Sequence, residues 1–178
     1  SLQSGCTETL KRMNRRYTTE EFKEVTKRLR TKFPNAALTT DIIVGFPGET
    51  DDDFQDTLDV VNEVGFENAF MFMYSVRSGT PAATMDEQVS EQVKSERLQQ
   101  LMRLQNMKAK EETKKYLDQT IKVLVEGPSK KNPEMLTGRT STHKIALFKS
   151  DRTDLKGKFV NIRVYDTKTW TLYGEMVE

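Results

Sequence analysis

Two hydrophobic periods share this chain, and their order limits what it can fold into more than any other feature. From Thr19 to Lys32 apolar residues recur at helical spacing through Phe22, Val25, Leu29 and Phe33. Thr18 stands three residues ahead of Glu21, the spacing at which two side chains satisfy the open amides of a helix start, and Pro34-Asn35 stop the run. Ala37 to Phe46 then reads ALTTDIIVGF, β-branched and nearly continuous in its apolar part, as a parallel strand buried on both faces is. The pattern repeats. Asp51, Asp52 and Asp53 open a second helix with the stripe Phe54, Leu58, Val61 and Val64, and Gly65 closes it. Asn68 to Ser75 supplies a second buried strand through Phe70, Met71, Phe72 and Met73, and a shorter helix is expected from Cys6 to about Asn14.

Helix and strand in this alternation belong to α/β folds, in which right-handed crossovers keep successive strands parallel. Two such strands leave their outer edges unpaired and their faces half covered. Neighbouring strands are therefore missing, and the chain is expected to be a fragment. After the loop VRSGTPAATM, a polar helix from about Ser90 to Tyr116 bridges to a region of period two. There Ile121, Val123 and Val125 alternate with Lys122 and Glu126, and Val160, Ile162 and Val164 alternate with Asn161, Arg163 and Tyr165. Gly-Pro, Asn-Pro, Thr-Gly and Lys-Gly signals between the runs predict about five antiparallel strands closing into a small barrel. The fold class is thus α/β plus all-β: part of a TIM-like barrel over residues 1–113, including the bridging helix, then a small β-barrel over 114–178.

Charge follows the same division. Residues 1–113 carry 15 Lys and Arg against 19 Asp and Glu, while 114–178 carry 13 against 8. A basic small domain beside an acidic larger one points to a polyanion, nucleic acid being the commonest. No stretch approaches the roughly 20 apolar residues of a membrane span, and a cytoplasmic protein is expected. Cys6 is the only cysteine and His143 the only histidine, so the chain has no internal disulfide and no Cys/His metal cage.

Four places carry chemistry. Gly45-Phe46-Pro47-Gly48 lies where a parallel strand gives way to a helix, the edge at which α/β proteins bind ligands; it equally suits a tight turn that merely requires glycine. Asp41 sits mid-strand, where an ionised carboxylate needs either a basic partner or a polar cavity. Tyr74-Ser75-Val76-Arg77-Ser78-Gly79-Thr80-Pro81 offers an aromatic face, hydroxyls and a guanidinium, suited to an anionic or nucleoside ligand, or else a solvated arginine in a turn. In the basic domain Lys130, Lys131, Arg139, Lys144, Lys156, Lys158 and Lys168 with Trp170 combine phosphate-pairing cations with a stacking surface, although Trp170 also suits a barrel core. Cys6 is read as a helix-start residue and His143 as a loop residue.

In order, Gln3-Ser4-Gly5, Asn14-Arg15-Arg16-Tyr17-Thr18, the run Thr39 to Thr50 (TTDIIVGFPGET) and Tyr74 to Ala83 (YSVRSGTPAA) resemble the methylthiotransferase family of radical S-adenosylmethionine enzymes. Val123-Leu124-Val125-Glu126-Gly127, Leu136-Thr137-Gly138-Arg139-Thr140 and Lys168 to Glu175 (KTWTLYGE) resemble the TRAM domain that closes such enzymes. The ending and the Val-Glu-Gly strand are most similar to the MiaB type, which places a methylthio group on isopentenyladenosine beside the tRNA anticodon.

The resemblance implies S-adenosylmethionine and two [4Fe-4S] clusters in a full-length enzyme, the tRNA anticodon stem-loop as partner, and N-terminal cluster-binding domains that are missing here. The family's C-x-x-x-C-x-x-C motif is not in this chain, and Ser1-Leu2 stand where the family has histidine and proline. The fragment alone is therefore expected to bind no cluster and to be inactive, with no catalytic or metal-ligating residue of its own. Carried over by position, Gln3, Ser4, Arg15, Asp41, Val44, Gly45, Tyr74 and Arg77 line the S-adenosylmethionine side of the barrel. Arg15 or Arg77 meets the cofactor carboxylate, and Val44 with the Gly45 backbone meets the adenine. Lys130, Lys131, Arg139, Lys144, Lys158 and Trp170 are the nucleic-acid contacts. Two other readings stand beside this one: an RNA-binding module whose α/β half is scaffold, and a methylthiotransferase acting on threonylcarbamoyl-adenosine in tRNA or on a ribosomal-protein aspartate.

Overall fold

Thr39–Val44 forms strand β1 and Asn68–Met73 forms β2, paired in parallel with Asp41 opposite Phe70 and Ile43 opposite Phe72. They belong to a computed structural model that describes residues 1–177. Gln3 begins a further parallel ladder on the free edge of β1. Its amide donates to the Asp41 carbonyl and its carbonyl accepts from the Ile43 amide, both at 2.9 Å. Helices α1 (Thr7–Arg12) and α2 (Thr19–Lys32) connect this segment to β1, and α3 (Asp51–Val64) connects β1 to β2. A 3-10 turn at Pro81–Thr84 precedes the long α4 (Glu91–Lys114).

Local chemistry explains the helix ends. Thr18 and Glu21 cap α2 reciprocally, as their spacing predicts, and Thr50 with Asp53 does the same for α3. Gly65 ends α3 at φ 63°, a left-handed conformation that glycine adopts without steric cost.

A strand sends alternate side chains to opposite faces. Ile42, Val44 and Ala69 therefore enter one core with Phe54, Leu58, Val61 and Val64 of α3 and Leu101 of α4. Asp41, Ile43, Phe70 and Phe72 share the other face, where Phe70 and Phe72 are 56% and 52% exposed. Neither strand is buried on both faces, contrary to what its apolar run suggests. Successive right-handed crossovers place their helices on one side of a sheet, so only that side is covered. The α2 stripe is corrected likewise: Phe22 packs against the core, but Val25, Leu29 and Phe33 remain exposed.

Gly5 is where the leading segment crosses α3. A Cβ there would lie 2.4 Å from the Thr57 Cα and 2.5 Å from the Asp56 carbonyl oxygen, both backbone atoms. The crossing is held by the Thr57 hydroxyl, which accepts from the Gly5 amide at 2.9 Å, and by the Thr19 hydroxyl, which donates to the Gly5 carbonyl at 2.8 Å.

The chain divides into two units, Ser1–Lys108 and Ala109–Glu178, with the division inside α4. In the second unit β3 (Thr120–Pro128), β4 (Leu136–Arg139), β5 (Ile145–Lys149), β6 (Phe159–Thr167) and β7 (Thr171–Val177) close into a barrel in the order β3-β4-β5-β7-β6. Four of its pairings are antiparallel, but β5 and β7 run parallel. A closed ring with an odd number of strands cannot alternate direction throughout, which corrects the all-antiparallel expectation. Val123, Val125, Ala146, Phe148, Ile162, Val164 and Leu172 fill its interior. Among the described residues no helix is long and apolar enough to cross a membrane.

Because the atoms that meet Gly5 are backbone, they cannot swing aside as a flexible side chain would. Gly5→Ala is expected to lower the stability of the first unit by about 1–3 kcal/mol, the usual cost of overpacking. Urea unfolding of parent and variant, followed by far-ultraviolet circular dichroism, checks it.

Candidate functional site

Where β1 and β2 end, their bare face opens into a cavity of about 640 Å³. Gln3, Arg15, Asp41, Tyr74 and Arg77 contribute polar groups to its wall, and Ile43, Phe46 and Phe72 contribute apolar ones. These residues come from separate segments. Gln3 belongs to the leading ladder, Arg15 to the turn after α1, Asp41 and Ile43 to β1, and Tyr74 to Arg77 to the loop after β2.

Asp41 illustrates why a carboxylate is tolerated mid-strand. Its Oδ2 accepts from the Ser1 hydroxyl at 3.0 Å, and it faces the cavity rather than the helix-side core. No lysine or arginine pairs with it among the described residues, so the polar-cavity reading applies rather than the buried-pair reading. Tyr74 is the most suggestive group. Its hydroxyl is buried and has no hydrogen-bond partner among the described residues. Its ring meets Phe46 edge-on at 5.1 Å, and the Lys94 ammonium lies 5.4 Å from its centroid. A buried hydroxyl left unpaired is costly, and a ligand in the adjoining cavity would relieve it.

Three of the eight residues assigned to this side from sequence do not line the cavity. Val44 points into the helix-side core, fully buried, because it is one residue out of phase with Ile43. Ser4 is buried against α3, its hydroxyl accepting from the Cys6 amide at 3.2 Å and lying 3.4 Å from that of Thr57. Gly45 lies under the Lys94 stem, whose Cγ would be 2.3 Å from an added Cβ. Ile43, Phe46 and Phe72 were missed, although counting by two from Asp41 reaches Ile43.

The turn after β1 is held by charge. Glu49 and Arg97 are both almost fully buried, with Arg97 Nη1 donating to Glu49 Oε1 at 2.8 Å. The same carboxylate oxygen accepts from the Gly45 amide at 2.8 Å, and Arg97 Nη2 reaches Asp51 at 2.7 Å. Burial pushes the Glu49 carboxyl above the ordinary carboxylate range, against the opposing pull of the Gly45 amide and Arg97. Nearby, Asp53 accepts from the Cys6 thiol at 2.9 Å and from Arg12 at 3.0 Å. Burial raises the Cys6 thiol, and its hydrogen bond to Asp53 raises it further. Burial also works to raise Asp53, but the Cys6 thiol, the Thr50 amide and Arg12 outweigh it and hold the carboxyl below its usual value. Among the described residues no three His, Cys, Asp or Glu side chains gather as a metal cage. The cavity, with cations, a carboxylate and an unpaired buried hydroxyl, does fit a zwitterionic nucleoside.

In the barrel, Lys130 and Lys131 are exposed between β3 and β4. Arg139 pairs with Glu126 at 3.0 Å, and Lys158 pairs with Asp154 at 2.7 Å. Trp170 is 39% exposed, on the surface rather than in the barrel core. Lys144 is the correction: only 6% exposed, it donates to the Thr113 hydroxyl at 3.1 Å and lies 5.8 Å from the Tyr116 centroid. Burial on an inward-facing position removes it from the surface set.

Comparison with known proteins divides the chain similarly. The radical SAM superfamily profile matches residues 1–61, and the TRAM domain profile matches residues 114–177. A tRNA-2-methylthio-N(6)-dimethylallyladenosine synthase of Fusobacterium nucleatum is 57% identical over 99% of this chain and 40% of its own length. Proteins of the same name from Acetivibrio thermocellus and Oceanobacillus iheyensis are each 50% identical, over 98% and 99% of this chain and 36% and 34% of their own lengths. The chain thus spans well under half the length of the curated relatives it matches.

Two outcomes follow from the charges. Arg97→Ala leaves the Glu49 carboxylate buried and uncompensated and is expected to cost about 3–5 kcal/mol, read from urea unfolding. The Asp53 carboxyl is depressed in the folded state, so its contribution is present above the ordinary value of 3.8 and is lost as pH falls through the folded value. Asp53→Asn should therefore narrow the stability gap between neutral and acidic pH, measured by thermal unfolding across that range.

Proposed function

We propose, from the radical SAM superfamily match over residues 1–61, the TRAM domain match over residues 114–177 and the similarity to the synthases named above, that this chain is part of an enzyme that methylthiolates an N6-isopentenylated adenosine beside the tRNA anticodon. The observation that carries the reading is the cavity at the ends of the parallel strands, with its buried, unpaired Tyr74 hydroxyl.

In this reading the cavity takes S-adenosylmethionine, and an iron–sulfur cluster is supplied by residues outside this chain. When bound beside such a cluster, the sulfonium provides the radical chemistry that opens an unreactive C–H bond. The chain's own residues bind and orient. Arg15 and Arg77 pair with the cofactor carboxylate in charge-assisted hydrogen bonds, and Asp41 accepts from its amine. Tyr74 supplies a hydrogen bond, and Ile43, Phe46 and Phe72 offer apolar surface to the adenine. Gln3 closes the edge of the pocket, while Ser4, Val44 and Gly45 hold its wall from behind. The barrel grips tRNA through Lys130, Lys131, Arg139 and Lys158, and Trp170, in the β6–β7 turn at the other end of the β3–β6 ladder, offers a stacking surface.

Two measurements test this. S-adenosylmethionine should bind weakly or not at all to this chain, and in a cluster-dependent manner to a protein of the relatives' full length. In the longer protein Arg77→Ala should weaken binding about tenfold, as loss of a hydrogen bond to a charged group does. Equal, cluster-independent binding by both proteins would overturn the assignment of the cavity. For the barrel, replacing Lys130, Lys131 and Arg139 with alanine should weaken tRNA binding and lower its salt slope by about one per lost phosphate contact. An unchanged slope would make these residues solvated surface.

A further inference from the structure

The outer wall formed by β3 and β6 carries side chains that neither the barrel core nor the lysine-rich loop uses. Across this ladder Thr120 stands opposite Arg163, Lys122 opposite Asn161, and Leu124 opposite Phe159. Their neighbours Val123, Ile162 and Val164 point inward and are buried. This outward set holds two cations, and Glu175 of β7 stands opposite Arg163 on its other side.

It also holds open aromatic surface. Phe159 is 63% exposed and Leu124, beside it, 38%; Tyr165, next outward after Arg163, is 56% exposed. The Lys122 ammonium lies 4.9 Å from the Phe159 centroid, so a cation and a ring form one unit. Single exposed apolar residues are ordinary. Here Phe159, Arg163 and Tyr165 follow one another outward along β6, with Lys122 of β3 beside Phe159, and the two rings are about 20 Å apart at the usual rise per residue.

Ion pairing differs from cation to cation around the barrel. Arg139 and Lys158 are paired with Glu126 and Asp154. Lys122 and Arg163 have no ion pair among the described residues. Two cations outside any ion pair thus lie beside the open rings, Arg163 with Glu175 as its cross-strand neighbour on β7, in a region that carries 13 basic against 8 acidic residues. A ring stacks on an unstacked base but not on a base held within a duplex, and the cations meet the phosphates.

We propose that the β3–β6 wall binds unpaired RNA nucleotides, with Phe159 and Tyr165 stacking on bases and Lys122 and Arg163 meeting the backbone. This rests on the reading that the barrel grips tRNA, and adds that the gripped segment includes unpaired bases. The ring contacts are distinct from the lysine loop because stacking releases no counterions. Removing a ring lowers affinity without changing the salt slope, whereas removing a cation that meets a phosphate lowers the slope as well.

The full chain is titrated by fluorescence anisotropy with an unstructured RNA of about 12 nucleotides and with a duplex RNA of similar charge, at several salt concentrations. Phe159→Ala should weaken binding of the unpaired RNA about tenfold, leave its salt slope unchanged and scarcely affect the duplex. Phe159→Trp keeps a stacking face and should bind like the parent. Lys122→Ala should lower the slope by about one. The ring is mostly exposed, so unfolding is not expected of Phe159→Ala, and Phe159→Trp reads out the face independently of folding. Equal binding by Phe159→Ala and the parent, or equal loss on both RNAs, would overturn the wall while leaving the tRNA-gripping reading intact. If the parent bound neither RNA, that reading would fail and the wall with it.

Discussion

A parallel sheet covered by helices on one side must leave its other side to something else, and the first unit is arranged around that constraint. The pleat sorts its residues: Ile42, Val44 and Ala69 go to the helices, and Asp41, Ile43, Phe70 and Phe72 go to the open face. A mid-strand carboxylate would be prohibitive in the helix-side core. On the open face Asp41 costs little, and it joins Arg15, Tyr74 and Arg77 around one cavity. The same side selection leaves Phe70 and Phe72 exposed, a large apolar cost for a chain that stood alone.

The cavity keeps its shape because α4 does more than connect. Lys94 packs over Gly45 and reaches the Tyr74 ring, while Arg97 joins Glu49 and Asp51. Leu101 enters the core, and Gln105 donates to the Phe66 carbonyl at 2.9 Å. A buried ion pair adds little net stability over an apolar pair, but it tolerates few alternative geometries once formed. Glu49 uses that property to hold the Gly45 amide, and so the turn at the mouth of the cavity. The polar character of α4, which reads from sequence as a bridging helix, is in its first half the consequence of these buried polar contacts.

In the barrel, position on the pleat decides which cations are available. Lys144 is buried and occupied by Thr113 and Tyr116, whereas Lys122 and Arg163 stand outward and outside any ion pair among the described residues, with Glu175 of β7 opposite Arg163. Net charge alone cannot make that distinction. The odd number of strands adds a parallel contact between β5 and β7, which brings Tyr173 opposite Leu147 and fixes the end of the barrel that carries Trp170.

Local signals were enough for much of this. The Thr18–Glu21 cap, the α3 stripe, Gly65 as a helix end and the period-two strands of the barrel all follow from interactions within a few residues, so they are written in the order of the chain. The residue types of the cavity were also legible, with Arg15, Asp41, Tyr74 and Arg77 foreseen and brought together. Tertiary structure decided what depends on facing. It sent Val44 behind the sheet and Ile43 to the cavity, exposed Phe70 and Phe72, buried Lys144 and opened Trp170 to solvent. The physical reason is that composition and spacing define the period of a strand, while only the elements packed against it determine which of its two faces is covered.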